Sequence, residues 1–123
     1  MNIHQQAHQF SHGDRRMRIV QLRRKLSVET ATAFQDFSQK VFADGVLPAK
    51  IKQIIAVAVA HVTQCPYCIK GHTRAALRHG ASDEELMEAI WVAAEMRAGA
   101  AFAHAVLAID EMEIATNTFQ VSS

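Results

Sequence analysis

Two prolines punctuate the apolar part of this 123-residue chain, and each stands where a helix can begin. Proline lacks the N–H that the first helical turn does not need, and its fixed φ suits that position. Pro48 precedes the run AKIKQIIAVAVAHV, and Pro66 follows a short break at Thr63–Cys65. Two glycines mark matching ends: Gly45 and Gly80 each follow a periodic segment, where a left-handed cap favours glycine. Between these marks apolar residues recur at helical spacing. Val28, Ala31, Phe34, Phe37, Val41 and Phe42 follow Ser27, a candidate N-cap with Glu29 in the first turn. The run after Lys52 is apolar almost all round. Its β-branched residues would suit a strand, but its length and its alanines favour a buried helix.

Ser82 and Glu85 form a capping box, opening a helix with Leu86, Ile90, Ala93 and Ala94 on one face. Arg97 and Gly99 mark a bend or stop, and Ala100 to about Thr116 reads as a last helix carrying Phe102, Val106, Ile109 and Glu113. There are no alternating strands, no internal repeat and no low-complexity tract. The expected class is all-α with about six helices, in one domain over residues 1–123. The phenylalanines are expected in the core.

The ends and the charge narrow the function classes. Residues 1–13 are expected to be weakly ordered; His4, His8 and His12 share a helical face there, and a frayed polar terminus explains them better than a metal site. Arg15, Arg16, Arg18, Arg23, Arg24 and Lys25 cluster next, without interleaved aromatics. A solvated or subunit-facing helix fits them better than a nucleic-acid patch. The net charge of +1 calls for neither nucleic acid nor an anionic membrane. The purest apolar run, Ile54 to Ala60, and the stretch Ala98–Ile109, which carries His104, both fall short of the roughly 20 residues a bilayer span needs. A soluble, cytoplasmic protein is expected, in a compartment where thiols stay reduced.

That expectation gives weight to HVTQCPYCIKGHT, residues 61–73, which holds both cysteines. If Cys65 is the N-cap and Pro66 the first helical residue, both sulfurs lie in the first turn, where free N–H groups stabilise a thiolate. Cys68 and His72 are four apart and share a face, so an imidazole can take the thiol proton and return it to a leaving oxygen. The two-residue gap lets the cysteines close a disulfide. The helix start favours Cys65 as the more acidic thiol; the neighbouring histidine favours Cys68. C-P-Y-C in a thioredoxin-like fold would need a βαβ context, which these helical flanks do not offer. Two buried small hydrophobes would be the bland account. Zinc is the sharper rival, with His61, Cys65, Cys68 and His72 as four ligands, although such sites usually hold their pairs apart across a loop. His61 alone fits a hydrogen-bonded helix residue, and His79 and His104 fit structural or exposed positions.

The stretch GVLPAKIKQIIAVAVAHVTQCPYCIKGHTRAALRHGASDEELMEAIWVAAEMRAGAAFAHA resembles the carboxymuconolactone decarboxylase-like family, in its alkylhydroperoxidase D branch. The G-x-L-P entry, the apolar helix, C-x2-C-x3-H, the H-G-A-S turn and the E-E-L-x-E-A helix start carry the resemblance, over about residues 30–112. It implies an antiparallel helical bundle, assembled as a homo-oligomer (dimer, trimer or hexamer), and thiol-dependent reduction of a hydroperoxide. By the same resemblance Cys68 is peroxidatic, Cys65 resolving and His72 the proton-transfer residue, with no organic cofactor. A reducing dithiol, thioredoxin-like or lipoyl partner closes the cycle. One residue departs from the pattern. The family glutamate twelve residues before the first cysteine is Gln53 here, which can orient the imidazole but cannot take its proton. Glu95 and Glu88 are the other acids that could serve. The rival readings are a zinc-binding or redox-sensing module built on the same cluster, and a decarboxylase-like activity on a small carboxylated lactone.

Overall fold

The structure, a computed structural model, describes residues 12–121 and is all-α over them. It divides into two units, one ending at Ala43 and one beginning at Asp44.

The first unit holds α1 (His12–Lys25) and α2 (Val28–Phe42). His4 and His8 lie outside the described residues; His12 opens α1. Asp14 in the first turn of α1 and Arg23, Arg24 and Lys25 in its last turn complement the helix dipole. Ser27 precedes α2, but its hydroxyl makes no capping bond. Its backbone, at φ −154° and ψ 62°, is not the extended geometry that turns a cap side chain onto the free N–H groups. Nor does Gly45 end α2. The helix stops at Phe42, and Ala43 caps it in an extended conformation, its N–H bonded to the Gln39 carbonyl. No residue of α1 or α2 is buried. Phe34 and Phe37, expected in the core, are instead exposed, while Phe42 is half-buried: the Phe34 and Phe37 rings touch, 6.2 Å between centroids, with Phe34 69% exposed.

The second unit packs α3 (Ala49–Thr63) against α4 (Pro66–Arg78) and α5 (Asp83–Val121). Pro48 is the N-cap of α3 and not its first residue. Proline has no side-chain acceptor, so Asp44 supplies one, its Oδ1 taking the Ala49 N–H at 2.7 Å. Ala49, Gln53, Val57 and Ala60 form the buried stripe of α3. The helix ends with Gln64 in the left-handed region at φ 55°, and the Cys65 N–H closes back on the Ala60 carbonyl at 3.2 Å. Gly80 ends α4 at φ +90°, as a left-handed cap requires. The capping box of α5 forms in full. The Glu85 N–H bonds the Ser82 hydroxyl at 3.0 Å and the Ser82 N–H bonds the Glu85 carboxylate at 2.9 Å. The other oxygen of that carboxylate meets Lys50 Nζ of α3 at 3.0 Å. Between the helices Val57, Ala76, Ala81 and Leu86 make a core of small and branched residues, with Ile54 and Ile90 at its edge.

The expected break at Arg97 and Gly99 is absent. α5 runs unbroken for 39 residues, so the described chain has five helices where the sequence suggested about six. One glycine inside a helix costs only about 1 kcal/mol relative to alanine, and the alanines around Gly99 offset it. The Glu95 carboxylate lies over the bare backbone, within 3.3 Å of where a Cβ at Gly99 would sit. As one continuous element, α5 is long and apolar enough, on length and composition alone, to cross a bilayer, which neither apolar run was when read separately.

Candidate functional site

The site grows from the turn between α3 and α4. Cys65 is the N-cap of α4 and Pro66 its first residue. In that position the Cys65 sulfur faces the free N–H groups of the first turn and accepts the Cys68 N–H at 3.3 Å. The Cys65 and Cys68 sulfurs are in hydrogen-bond contact at 2.7 Å. Both cysteines are unbridged and partly buried.

This bonding sorts the two thiols. The hydrogen bond from the Cys68 thiol holds Cys65 below the ordinary thiol range. The N–H groups of Cys68 and Tyr67 pull the same way, against a smaller upward push from burial. Cys68 is pushed up, first because its proton is held by Cys65, then by burial and by the charge on Cys65. When the pair is singly ionised it shares one proton, and the bonding favours the charge on Cys65. Of the two cues in the sequence, the shift goes the way of the helix start, although its largest cause is the neighbouring thiol and the N–H groups come second.

His72 stands one helical turn beyond Cys68, partly buried. Its Nδ1 donates to the Gln53 Oε1 at 2.8 Å. Gln53 comes from the buried stripe of α3 and is only 7% exposed. With Nδ1 protonated, the other nitrogen of the neutral ring is an acceptor. So the glutamine that replaces the family's acid reaches the imidazole and sets its tautomer. The alternative acids do not reach it. Glu88 and Glu95 are exposed on α5, and their carboxylates make no hydrogen bond among the described residues.

The other histidines stay apart. His61 bonds the Val57 carbonyl of its own helix through Nδ1 at 2.7 Å, His79 caps α4 through its backbone, and His104 is exposed. The four-ligand zinc arrangement of His61, Cys65, Cys68 and His72 is not assembled: among the described residues no three or more metal-ligating side chains are grouped to hold an ion. A contact that sequence reasoning missed braces the turn from α5. Arg97 Nη1 donates to the Val62 carbonyl in the last turn of α3 at 2.8 Å. No spacing rule links positions 35 apart, so nothing in the sequence announces it.

Taken together the site offers a thiol of lowered pKa, a second thiol in contact with it and an oriented imidazole.

The profile of the Carboxymuconolactone decarboxylase family matches residues 29–111. Uncharacterized protein 4 in the cox locus of Paracoccus denitrificans is 62% identical over 84 residues, which span 66% of this chain and 76% of that one. A carboxymuconolactone decarboxylase family protein from Legionella pneumophila superposes with a TM-score of 0.61 at 34% identity, over 68% of this chain and 74% of that one. A protein from Methanobacterium thermoautotrophicum superposes with a TM-score of 0.62 at 36% identity, over 66% and 93%.

Proposed function

The chain belongs to the carboxymuconolactone decarboxylase family, and on that premise we propose that it is a thiol-dependent peroxidase that reduces hydroperoxides through Cys65 and Cys68. The single observation that carries the reading is the 2.7 Å thiol–thiol contact at the start of α4. Two free sulfurs so placed can trade one proton and then bond to each other.

The steps follow from that contact. The shared proton moves from Cys68 to Cys65, and the Cys68 thiolate attacks the outer oxygen of the hydroperoxide. An S–O bond forms and the O–O bond breaks. The leaving alkoxide takes a proton from solvent, relayed through the His72 ring nitrogen that does not face Gln53, giving an alcohol and a sulfenic acid on Cys68. Cys65 passes its proton to His72 and attacks the Cys68 sulfur; the S–O bond breaks, and the departing hydroxide takes that proton as water. The products are one alcohol, one water and the Cys65–Cys68 disulfide. A reducing dithiol, thioredoxin-like or lipoyl, restores both thiols by exchange. Gln53 is a positioning residue: it holds the ring by Nδ1 so that the other nitrogen does the proton work. Cytoplasmic conditions would keep the pair reduced between turnovers.

Self-association belongs to the same reading. The C-terminal half of α5 exposes Phe102, at 84%, with Val106, Ile109 and Met112 close to one face. A homo-oligomer (dimer, trimer or hexamer) would bury that stripe.

The test is hydroperoxide consumption with dithiothreitol as reductant. Turnover is expected in the unaltered protein, with Cys68→Ser inactive and Cys65→Ser slowed because its sulfenic acid must wait for external thiol. Full activity in Cys68→Ser would overturn the assignment.

A further inference from the structure

We propose that the exposed face of α4 beside Cys68 is the docking surface for the reductant, and that this reductant is a dithiol protein with acidic groups around its cysteines. The inference rests on the peroxidase reading for its place in the cycle.

Tyr67, Gly71, Arg74 and Arg78 recur at helical spacing along α4, with Lys70 beside them, and all five are exposed, Tyr67 by 77%. Every charged side chain of α4 is basic. Arg78 has a local explanation, since a cation in the last turn suits the helix dipole. Lys70 and Arg74 do not: they lie earlier, and no acid on α4 stands four residues away to pair with them. Neither side chain makes a hydrogen bond or ion pair among the described residues. Unpaired cations flanking an exposed aromatic residue fit an anionic protein surface.

Gly71 adds a second, independent sign. A glycine within a helix is less favourable than an alanine. Packing does not demand it, because a Cβ there would meet nothing within 4 Å. A helical side chain covers the turn on the N-terminal side of its own Cα. At position 71 that turn carries Tyr67 and Cys68. Leaving it bare keeps the approach to the Cys68 sulfur open. From Tyr67 to Arg78 the stripe runs roughly 16 Å at 1.5 Å per residue, and it is convex. That geometry suits a macromolecule better than a small hydroperoxide, which would need a concave site.

The exchange step balances on this surface. A partner thiolate attacks the Cys68 sulfur; the new S–S bond forms as Cys65–Cys68 breaks, and the electron pair leaves on Cys65, where the Cys68 N–H already points. The partner's second thiol gives up its proton to this pair and attacks the partner's first sulfur, releasing Cys68. The partner leaves as a disulfide, two electrons poorer, and one proton remains shared between Cys65 and Cys68.

The test needs no peroxide. The protein is oxidised to its Cys65–Cys68 disulfide with diamide, and reduction is followed by stopped-flow. The probes are a synthetic dithiol peptide flanked by four glutamates, the same peptide flanked by four lysines, and dithiothreitol for normalisation. At low ionic strength the glutamate peptide should react at least about tenfold faster than the lysine peptide, and the preference should fall to about twofold or less at 0.5 M salt. Lys70→Glu with Arg74→Glu should reverse the order, each rate normalised to that variant's own rate with dithiothreitol. Gly71→Leu should slow both peptides severalfold more than it slows dithiothreitol. Equal rates for the two peptides, or an order unchanged by the charge reversal, would overturn the docking surface while leaving the peroxidase reading intact. Failure of peroxide turnover alongside a normal charge preference would do the reverse.

Discussion

His72 of α4 is tied to Gln53 of α3, 19 residues earlier, by a 2.8 Å hydrogen bond from Nδ1 to Oε1. The bond crosses the α3–α4 interface, so the site depends on how those two helices pack. Gln53→Leu removes the acceptor. About tenfold slower peroxide consumption is expected, with about 1 kcal/mol lost in chemical denaturation for the donor left without its partner. Gln53→Glu, which restores an acceptor, should keep most of the activity. Equal turnover in all three proteins would show that the bond is structural only.

The core beneath that bond is tight. Ala76 of α4 is fully buried against Val57 and Leu86. Ala76→Leu adds atoms where there is no room, and about 1–3 kcal/mol should be lost. Because the strain spreads α4 from α3, activity should fall by more than a loss of folded protein explains. A variant that is destabilised yet fully active per folded molecule would show that the site does not need this spacing.

Thiol reactivity should follow the bonding. Cys65 is held low by Cys68 and Cys68 is pushed up by Cys65. In the reduced protein, brief treatment with iodoacetamide below pH 8 should alkylate Cys65 first, as read by peptide mass spectrometry. Cys68→Ala removes the donor that contributes most, so Cys65 should then need a higher pH for the same rate. Preferential labelling of Cys68 would contradict the assignment of Cys65 as the more acidic thiol.

Glu85 carries the cap of α5, its carboxyl held below the usual range first by the Ser82 N–H and then by Lys50. A depressed carboxyl stabilises the fold above its unfolded pKa, and that stabilisation disappears as pH falls through the folded value. Glu85→Gln should therefore flatten the acid limb of stability against pH. The salt bridge to Lys50 is substantially exposed, at 34% and 45% for the two side chains. Ser82→Ala should cost about 1 kcal/mol, and Lys50→Ala distinctly less, because solvent screens an exposed pair. A larger loss from Lys50→Ala than from Ser82→Ala would place the weight on the ion pair.

The features legible in the sequence are those whose cause lies within a few residues. Pro66 and Cys65 announce the start of α4, Ser82 with Glu85 announces α5, and Gly80 announces the end of α4. The spacing of Cys65, Cys68 and His72 is equally local. The misreadings came where a distant or collective effect wins. Asp44 caps α3 from five residues upstream, so Pro48 looked like the first helical residue. Arg97 and Gly99 looked like a stop because a glycine is a local signal, whereas the continuity of α5 is collective. Phe34 and Phe37 looked like core because helical periodicity shows that a face exists without showing what covers it. The resemblance pointed to position 53, but the bond from His72 to Gln53 is tertiary and became visible only in the fold.

The most direct measurement is the mass of the reduced protein after one equivalent of hydroperoxide. The account predicts a loss of roughly 2 Da, both thiols closed to iodoacetamide, and a single linked peptide pair joining Cys65 to Cys68. Peroxide left unconsumed, or consumed while both cysteines remain open to alkylation, would contradict it.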